Sequence, residues 1–340
     1  MTVKLSRLFT AVLWWLITSV ESAFSQTWSI TSAPTDMGWN SIACSADGTK
    51  VVAVAVPEGP AVIYVSTNSG SSWTSTVAPK FQFFPRVASS VDGTKLVEAS
   101  WDDELGVSTT SGKTWKWTQF ATNNALYGCI ASSSDGSKLA MANGYTSKNS
   151  GHTWEKQNYY WGYIAASADG TKLVATDYTP SLSWTGDWKS HRVTGPIYFS
   201  SSWGAGWEKT TAPVLAWNSI ACSSNAIKLV AAADEGIYTS ADSGNTWKYR
   251  DAPTNFTWLF VASSTDGTSL VAGANEGIAL SADSGGSWSV SHAPNNMTKL
   301  SAIASSADGT RLYVTFDGGA IYAVQTLRNG IAPHLPSIRQ

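Results

Sequence analysis

Two stretches carry residue types that could do acid–base or sugar chemistry. The first is Glu98 with the run Asp102-Asp103-Glu104. Glu98 stands at a repeating position filled elsewhere by Ala53, Met141, Ala175, Ala231, Ala272 and Val314. A carboxylate among such neighbours is desolvated, and its pKa rises unless it is paired. Arg86 falls nearly opposite on the preceding strand, so a structural ion pair is one reading. The other is a buried acid beside a second carboxylate (Asp102, Asp103 or Glu104), the arrangement that glycoside cleavage needs. The second stretch, residues 177–196, reads DYTPSLSWTGDWKSHRVTGP and brings together Trp184, Trp188, Asp187, His191 and Arg192. It offers stacking faces, a carboxylate, an imidazole and a guanidinium on one loop. Long loops on a rigid scaffold commonly carry function.

Both stretches belong to a repeat. A marker, ACSADGTKVV around Asp47, recurs at Asp92, Asp135, Asp169, Asp266 and Asp308, with Asn225 in the equivalent place of one copy. Successive markers are 45, 43, 34, 56, 41 and 42 residues apart. A period near forty with four β-rich segments per repeat is the signature of propeller blades. Asp47-Gly48 makes the turn between strands a and b. Strand c follows and ends in an eight-residue motif. SADSGNTW at 240–247 is matched by SADSGGSW at 281–288, STNSGSSW at 66–73, SKNSGHTW at 147–154 and STTSGKTW at 108–115, with a worn copy, SSSWGAGW, at 200–207. The short Asp or Asn side chain closes a turn on nearby N–H groups, Gly permits a positive φ, and Trp plugs the hairpin. Strand d starts at the Trp.

The eight-residue motif resembles the Asp-box, or BNR, repeat of sialidase-like β-propellers. That resemblance implies an all-β, seven-bladed propeller of four-stranded blades, with the boxes on the rim away from any active site. The last repeat has strands a, b and c only, while TWSITSAP at 27–34 matches the d strands SWSVSHAP and SWTSTVAP. The N-terminal strand is therefore expected to close the last blade and remove an exposed edge. The domain expectation is a signal peptide at 1–25, the propeller at 26–326 and a tail at 327–340. The leader reading rests on basic Lys4 and Arg7, the apolar run 8–17 and the Ala23-Phe24-Ser25 cleavage site.

One end of such a propeller carries the d–a and b–c connections, and relatives place ligands there. Eight residues before each marker stand Trp39, Phe84, Tyr127, Trp161, Trp217, Trp258 and Leu300. These rings either stack on sugars or wedge between blades. The b–c loops carry Glu58, Asp102, Asp103, Glu104, Asp177, Asp234, Glu235, Glu276 and Asp317. They are either solvated hairpin turns or an acidic ring able to hold a cation, a basic partner or sugar hydroxyls.

Charged residues are only 14% of the chain and the formal net charge is −2, which points away from nucleic acid and anionic lipid. No His/Cys/Asp/Glu group has metal-ligand spacing, no phosphate loop or nucleophile elbow occurs, and no cofactor is expected. Cys44, Cys129 and Cys222 are expected to be free, small buried thiols. Sialidases need three convergent Arg. Here only Arg86 and Arg192 fall near the loop end and the Phe-Arg-Ile-Pro signature is absent, so that activity is not expected. Three readings follow. The first is a secreted, monomeric binding propeller whose ligand is a carbohydrate, held by Trp39, Phe84, Arg86, Trp161, Trp184, Trp188, His191, Arg192, Trp217 and Trp258. The second is a glycoside hydrolase or polysaccharide lyase using Glu98, Asp102, Asp103, Glu104 or Asp187. The third is a protein-assembly scaffold, similar in architecture to photosystem II stability and assembly factor propellers. After removal of the leader no membrane contact is expected.

Overall fold

The computed structural model describes residues 24–57, 59–78, 84–100, 104–119, 129–177, 194–253, 255–294 and 299–328. These residues form antiparallel strands and no α-helix: five four-stranded sheets and one of eight strands. The eight-stranded sheet is two runs of four, bridged only by the pairs Met37–Gly319 and Gly38–Asp317. Counted this way, the four-stranded units span 37–77, 86–119, 130–156, 161–209, 217–250 and 260–292. The last unit comprises Leu300–Ser305, Arg311–Gly319, Ile321–Arg328 and the N-terminal strand Phe24–Ile30. That N-terminal strand pairs along Ile321–Arg328 from Phe24–Arg328 to Ile30–Tyr322. It starts upstream of the residue at which the mature chain is expected to begin.

Each apolar cluster lies between consecutive units, and none lies within a single unit. Val52, Val54 and Ile63 meet Val87 and Leu96; Val271, Ile278 and Leu280 meet Leu312 and Val314; Ala302, Ala304 and Tyr313 of the last unit meet Trp39, Ile42 and Ala53 of the first. Strand b is therefore buried on both faces. Val51–Ala55, Leu229–Ala233 and Leu270–Ala274 are buried at every residue, which explains why they read as unbroken Val/Ala/Leu runs without alternation.

The marker turns tie the units into a closed ring, the arrangement of a β-propeller. Backbone N–H groups donate from Ala46 to Val91, Val91 to Ser134, Ser134 to Ala168, Ala168 to Ser224, Ser224 to Thr265, Thr265 to Ala307, and Ala307 back to Ala46, all at 2.7–2.8 Å. Every member is the residue just before a marker Asp or Asn. Within a turn, the Asp47 carboxylate accepts from the Ser45 hydroxyl at 2.6 Å and the Thr49 N–H at 2.9 Å. The same bonds hold Asp92, Asp135, Asp169 and Asp266 at pKa values of about 2. The glycine after the Asp admits the neighbouring unit: a Cβ on Gly93 (φ +64°) would sit 2.7 Å from the Lys50 stem, whose ammonium donates to the Asp92 carbonyl at 2.8 Å.

The eight-residue motifs make a second set of turns at the same end. The Gly70 N–H donates to the Ser66 hydroxyl at 2.8 Å, the Ser72 N–H to the Asn68 side chain at 2.9 Å, and the Trp73 indole to the Gly70 carbonyl at 3.2 Å. In the worn copy Trp203 replaces the small residue that accepts a Lys elsewhere, and Lys138 lies over its ring at 5.8 Å.

Candidate functional site

Antiparallel order puts the a–b turns and the eight-residue motifs at one end of the ring and the b–c turns and d–a connections at the other. The carboxylates of the first end are committed to their own turns. Chemistry, if any, belongs to the second, the loop end.

The column containing Glu98 is buried throughout, and Glu98 is 0% exposed. It does not face Arg86. The register pairs Val87 with Glu98 and Arg86 with Ala99, so alternation sends the two side chains to opposite faces of the sheet. The expected ion pair is corrected on this ground: the strands align one residue away from the count made across the turn. Glu98 lies on the face turned to Val52, Val54 and Ile63, and no ion pair joins it to Arg86. The Arg86 guanidinium donates to the Asn40 carbonyl. Opposite Glu98 is Gly106, where an added Cβ would meet the Trp117 ring at 2.7 Å. Glu104 begins strand c, two residues before Gly106 and on the same face as Glu98, and is 5% exposed. Such diagonal neighbours stand about 7–8 Å apart. The two carboxylates do share a face, as an acid pair must, but both are enclosed in the inter-unit packing. Asp102 and Asp103 lie outside the described residues.

Four rings of the aromatic column are packing groups. Trp39, Trp161, Trp217 and Trp258 are all buried. The Trp39 indole donates to the Gly319 carbonyl at 3.0 Å and that of Trp217 to the Gly195 carbonyl at 3.0 Å, each reaching the b–c turn of the preceding unit. Trp161 is sandwiched by Tyr159 (5.5 Å, 15° between planes), Tyr198 and Trp207. Rings enclosed on these faces cannot stack on a sugar, so the sugar-stacking reading of these four is corrected. Their repetition reflects one wedge job done at each junction. Phe84 is the described member that differs: it is 49% exposed at φ +49°. Tyr127 and the loop residues Trp184, Trp188, Asp187, His191 and Arg192 lie outside the described residues. Around that loop, the Asp177 N–H donates to the Pro196 carbonyl at 3.0 Å, and Gly195 bridges Leu215.

Sequence reasoning missed a second column. Eight residues after the markers stand Ala55, Ser100, Asn143, Asp177, Ala233, Ala274 and Phe316. In four units these face the aromatic column, as in the pairs Trp39–Ala55 and Trp161–Asp177. The column is polar only in the second, third and fourth units. Asn143 is 2% exposed and neither its amide nitrogen nor its amide oxygen has a hydrogen-bond partner. Its turn is held against the next connection by the Gln157 N–H donating to the Gly144 carbonyl at 2.6 Å. That connection exposes Tyr159 and Tyr160, and Val214 is exposed on the following one. With Phe84 they are exposed apolar groups on the connections that enter units two, four and five. The b–c turns of the last three units expose Asp234, Glu235, Glu276 and Asp317 instead.

The described residues hold no cluster of three or more His, Cys, Asp or Glu side chains placed for a metal. Cys44, Cys129 and Cys222 are free thiols, and burial pushes Cys44 and Cys222 up to about 12. Two grooves, of 430 and 200 Å³, lie on the rim beside the eight-residue motifs.

No family model matches the chain, and no curated protein matches it. Solved structures do resemble it. YCF48 from Cyanidioschyzon merolae superposes with a TM-score of 0.65 at 14% identity, covering 88% of this chain and 98% of its own. A structure of YCF48 bound to D1 peptide gives 0.63 at 16% identity, covering 88% and 96%. At these identities the likeness is one of fold.

Proposed function

We propose that this chain is an exported, seven-bladed β-propeller that binds another polypeptide at its loop end, a scaffold rather than an enzyme. The blade count rests on the seven-membered ring of backbone hydrogen bonds and on the N-terminal strand that completes the last unit. The eight-residue repeat is read as an Asp-box, supported by its recurrent Ser–Gly and Asn–Ser turn bonds and by the indole plug. Export rests on the leader-like residues 1–25. The observation that carries the binding partner is the exposure of Phe84, Tyr159, Tyr160 and Val214 at the end where Trp39, Trp161, Trp217 and Trp258 are buried. Exposed apolar groups at one end of a rigid scaffold are what protein recognition uses, and a solved propeller of this fold holds a D1 peptide. The acid pair Glu98–Glu104 favours no reaction, because a catalytic acid must touch its substrate.

The test offers the immobilised full-length chain a phage-displayed random-peptide library and a glycan array in parallel. Micromolar peptide binders, with no glycan retained, support this reading. A retained glycan with no enriched peptide overturns it and restores the carbohydrate reading, centred on Trp184 and Trp188.

A further inference from the structure

We infer that the bound segment is an extended polypeptide, cationic in one half and apolar in the other, lying across the loop end of the ring. This deepens the protein-binding reading and rests on it. The loop end has two zones. Over the fifth to seventh units, three consecutive b–c turns expose Asp234, Glu235, Glu276 and Asp317, and the adjoining d–a connection exposes Asp251. Lys299 is the described exception there. The repeat's other cations sit at the opposite end: Lys50 and Lys172 donate to carbonyls of the next marker turn, and Lys95 and Lys228 to serine hydroxyls. Among the described residues of these turns and connections, five exposed carboxylates stand against one exposed lysine, giving this part of the loop end a negative field that draws positive charge.

The other zone lies over units two to four and their junction with the fifth, where no described residue of the b–c turns or d–a connections is an exposed carboxylate, lysine or arginine. It presents Phe84, Tyr159, Tyr160 and Val214. Beside Tyr159 stands the turn of Asn143, whose buried amide NH2 and C=O have no partner. That pair matches a single peptide group, which offers one C=O and one N–H. The carboxylates repel a polyanion, and the buried Trp39, Trp161, Trp217 and Trp258 offer no face to a glycan. A polypeptide carrying Lys or Arg in one half and aromatic or aliphatic residues in the other satisfies both zones, with its backbone within reach of the Asn143 turn.

The experiment takes peptides enriched from the random library, labels them with a fluorophore and titrates the full-length chain by anisotropy. Enriched sequences should combine Lys or Arg with apolar residues, and their binding should weaken as salt rises. The quadruple variant Asp234→Asn/Glu235→Gln/Glu276→Gln/Asp317→Asn should weaken binding on the order of tenfold at low salt and flatten the salt dependence. Tyr159→Ala/Tyr160→Ala should weaken binding while leaving the salt dependence in place. All these side chains are exposed, and an unchanged circular dichroism melt confirms that the fold is retained. Enriched peptides that are acidic or uncharged, or a quadruple variant with unchanged Kd, overturn the two-zone inference while the protein-binding reading stands. A library that yields no binder at all overturns both.

Discussion

The Ala307 N–H donates to the Ala46 carbonyl at 2.8 Å. This one bond joins the last marker turn to the first and makes a chain of inter-unit bonds into a ring. The side chains around it repeat the closure: the Arg311 guanidinium donates to the Ser69 hydroxyl at 2.8 Å, and the Tyr313 hydroxyl to the Gly48 carbonyl at 2.6 Å.

Closure also depends on the N-terminal strand, and Trp28 is its anchor. The indole donates to the Ser291 hydroxyl of the preceding unit at 2.7 Å and packs edge-on against Tyr322 at 6.0 Å. Being only half-buried, Trp28→Ala should cost about 2 kcal/mol, below the roughly 3–5 kcal/mol of a fully buried aromatic. Deleting residues 24–30 exposes the edge of Ile321–Arg328 and should cause aggregation or a much lower melting temperature. A deletion that melts like the parent would remove the strand from the closure.

Acid should unfold the ring from its marker turns. Asp92, Asp135, Asp169 and Asp266 titrate near 2 in the folded protein, against about 3.9 in an unfolded chain. A depressed folded pKa means the stabilisation is fully present above the unfolded value and is lost as pH falls through the folded one. Melting temperature should therefore hold down to about pH 4 and fall steeply toward pH 2. Asp92→Ala should lower the melt at pH 7, because the Ser90 hydroxyl and the Thr94 N–H lose their acceptor. A flat profile to pH 2 would show that these carboxylates contribute nothing.

The ring was legible in the sequence because each element repeats its chemistry. In four copies the marker Asp, the following Gly and the Lys two places beyond it form one turn and one latch, and the other three copies keep most of that pattern. Facing was harder to read. Counting across the Asp92-Gly93 turn misplaced Arg86 against Glu98 by one residue, and a one-residue slip moves a side chain to the other face of a sheet. The burial of Glu98 was nonetheless readable, since its column is otherwise Ala, Met and Val. The aromatic column advertised its position but not its exposure, because a wedge between sheets and a platform for sugar require the same rings. Asn143 left a fainter signal, a column that turns polar in consecutive units only.

Asn143→Ala should stabilise the protein. A buried amide without partners forfeits its hydration, at about 1–3 kcal/mol, and three other units place Ala at the equivalent position. After the loss of some packing, a net gain of about 1 kcal/mol is expected, raising the melt by a few degrees. Urea denaturation gives the number. A loss of stability would show that the amide is satisfied in solution and would withdraw it from the binding surface.

Trp39 and Tyr159 separate architecture from recognition. Trp39 is 1% exposed, is bonded to Gly319 across the ring junction, and meets Tyr64 edge-on at 5.3 Å. Trp39→Ala should cost about 3–5 kcal/mol through the cavity and the orphaned carbonyl. Tyr159 is 41% exposed and lies flat over Trp161. Its replacement by Ala should cost under about 1 kcal/mol, yet weaken peptide binding several-fold by removing a stacking face. The pair is read by urea denaturation and by anisotropy on the same selected peptide. The expected pattern is a stability defect without a specific binding defect for Trp39, measured at a temperature where the variant is folded, and the reverse for Tyr159. The opposite pattern would return the aromatic column to ligand binding and move recognition from the exposed groups to the ring junctions.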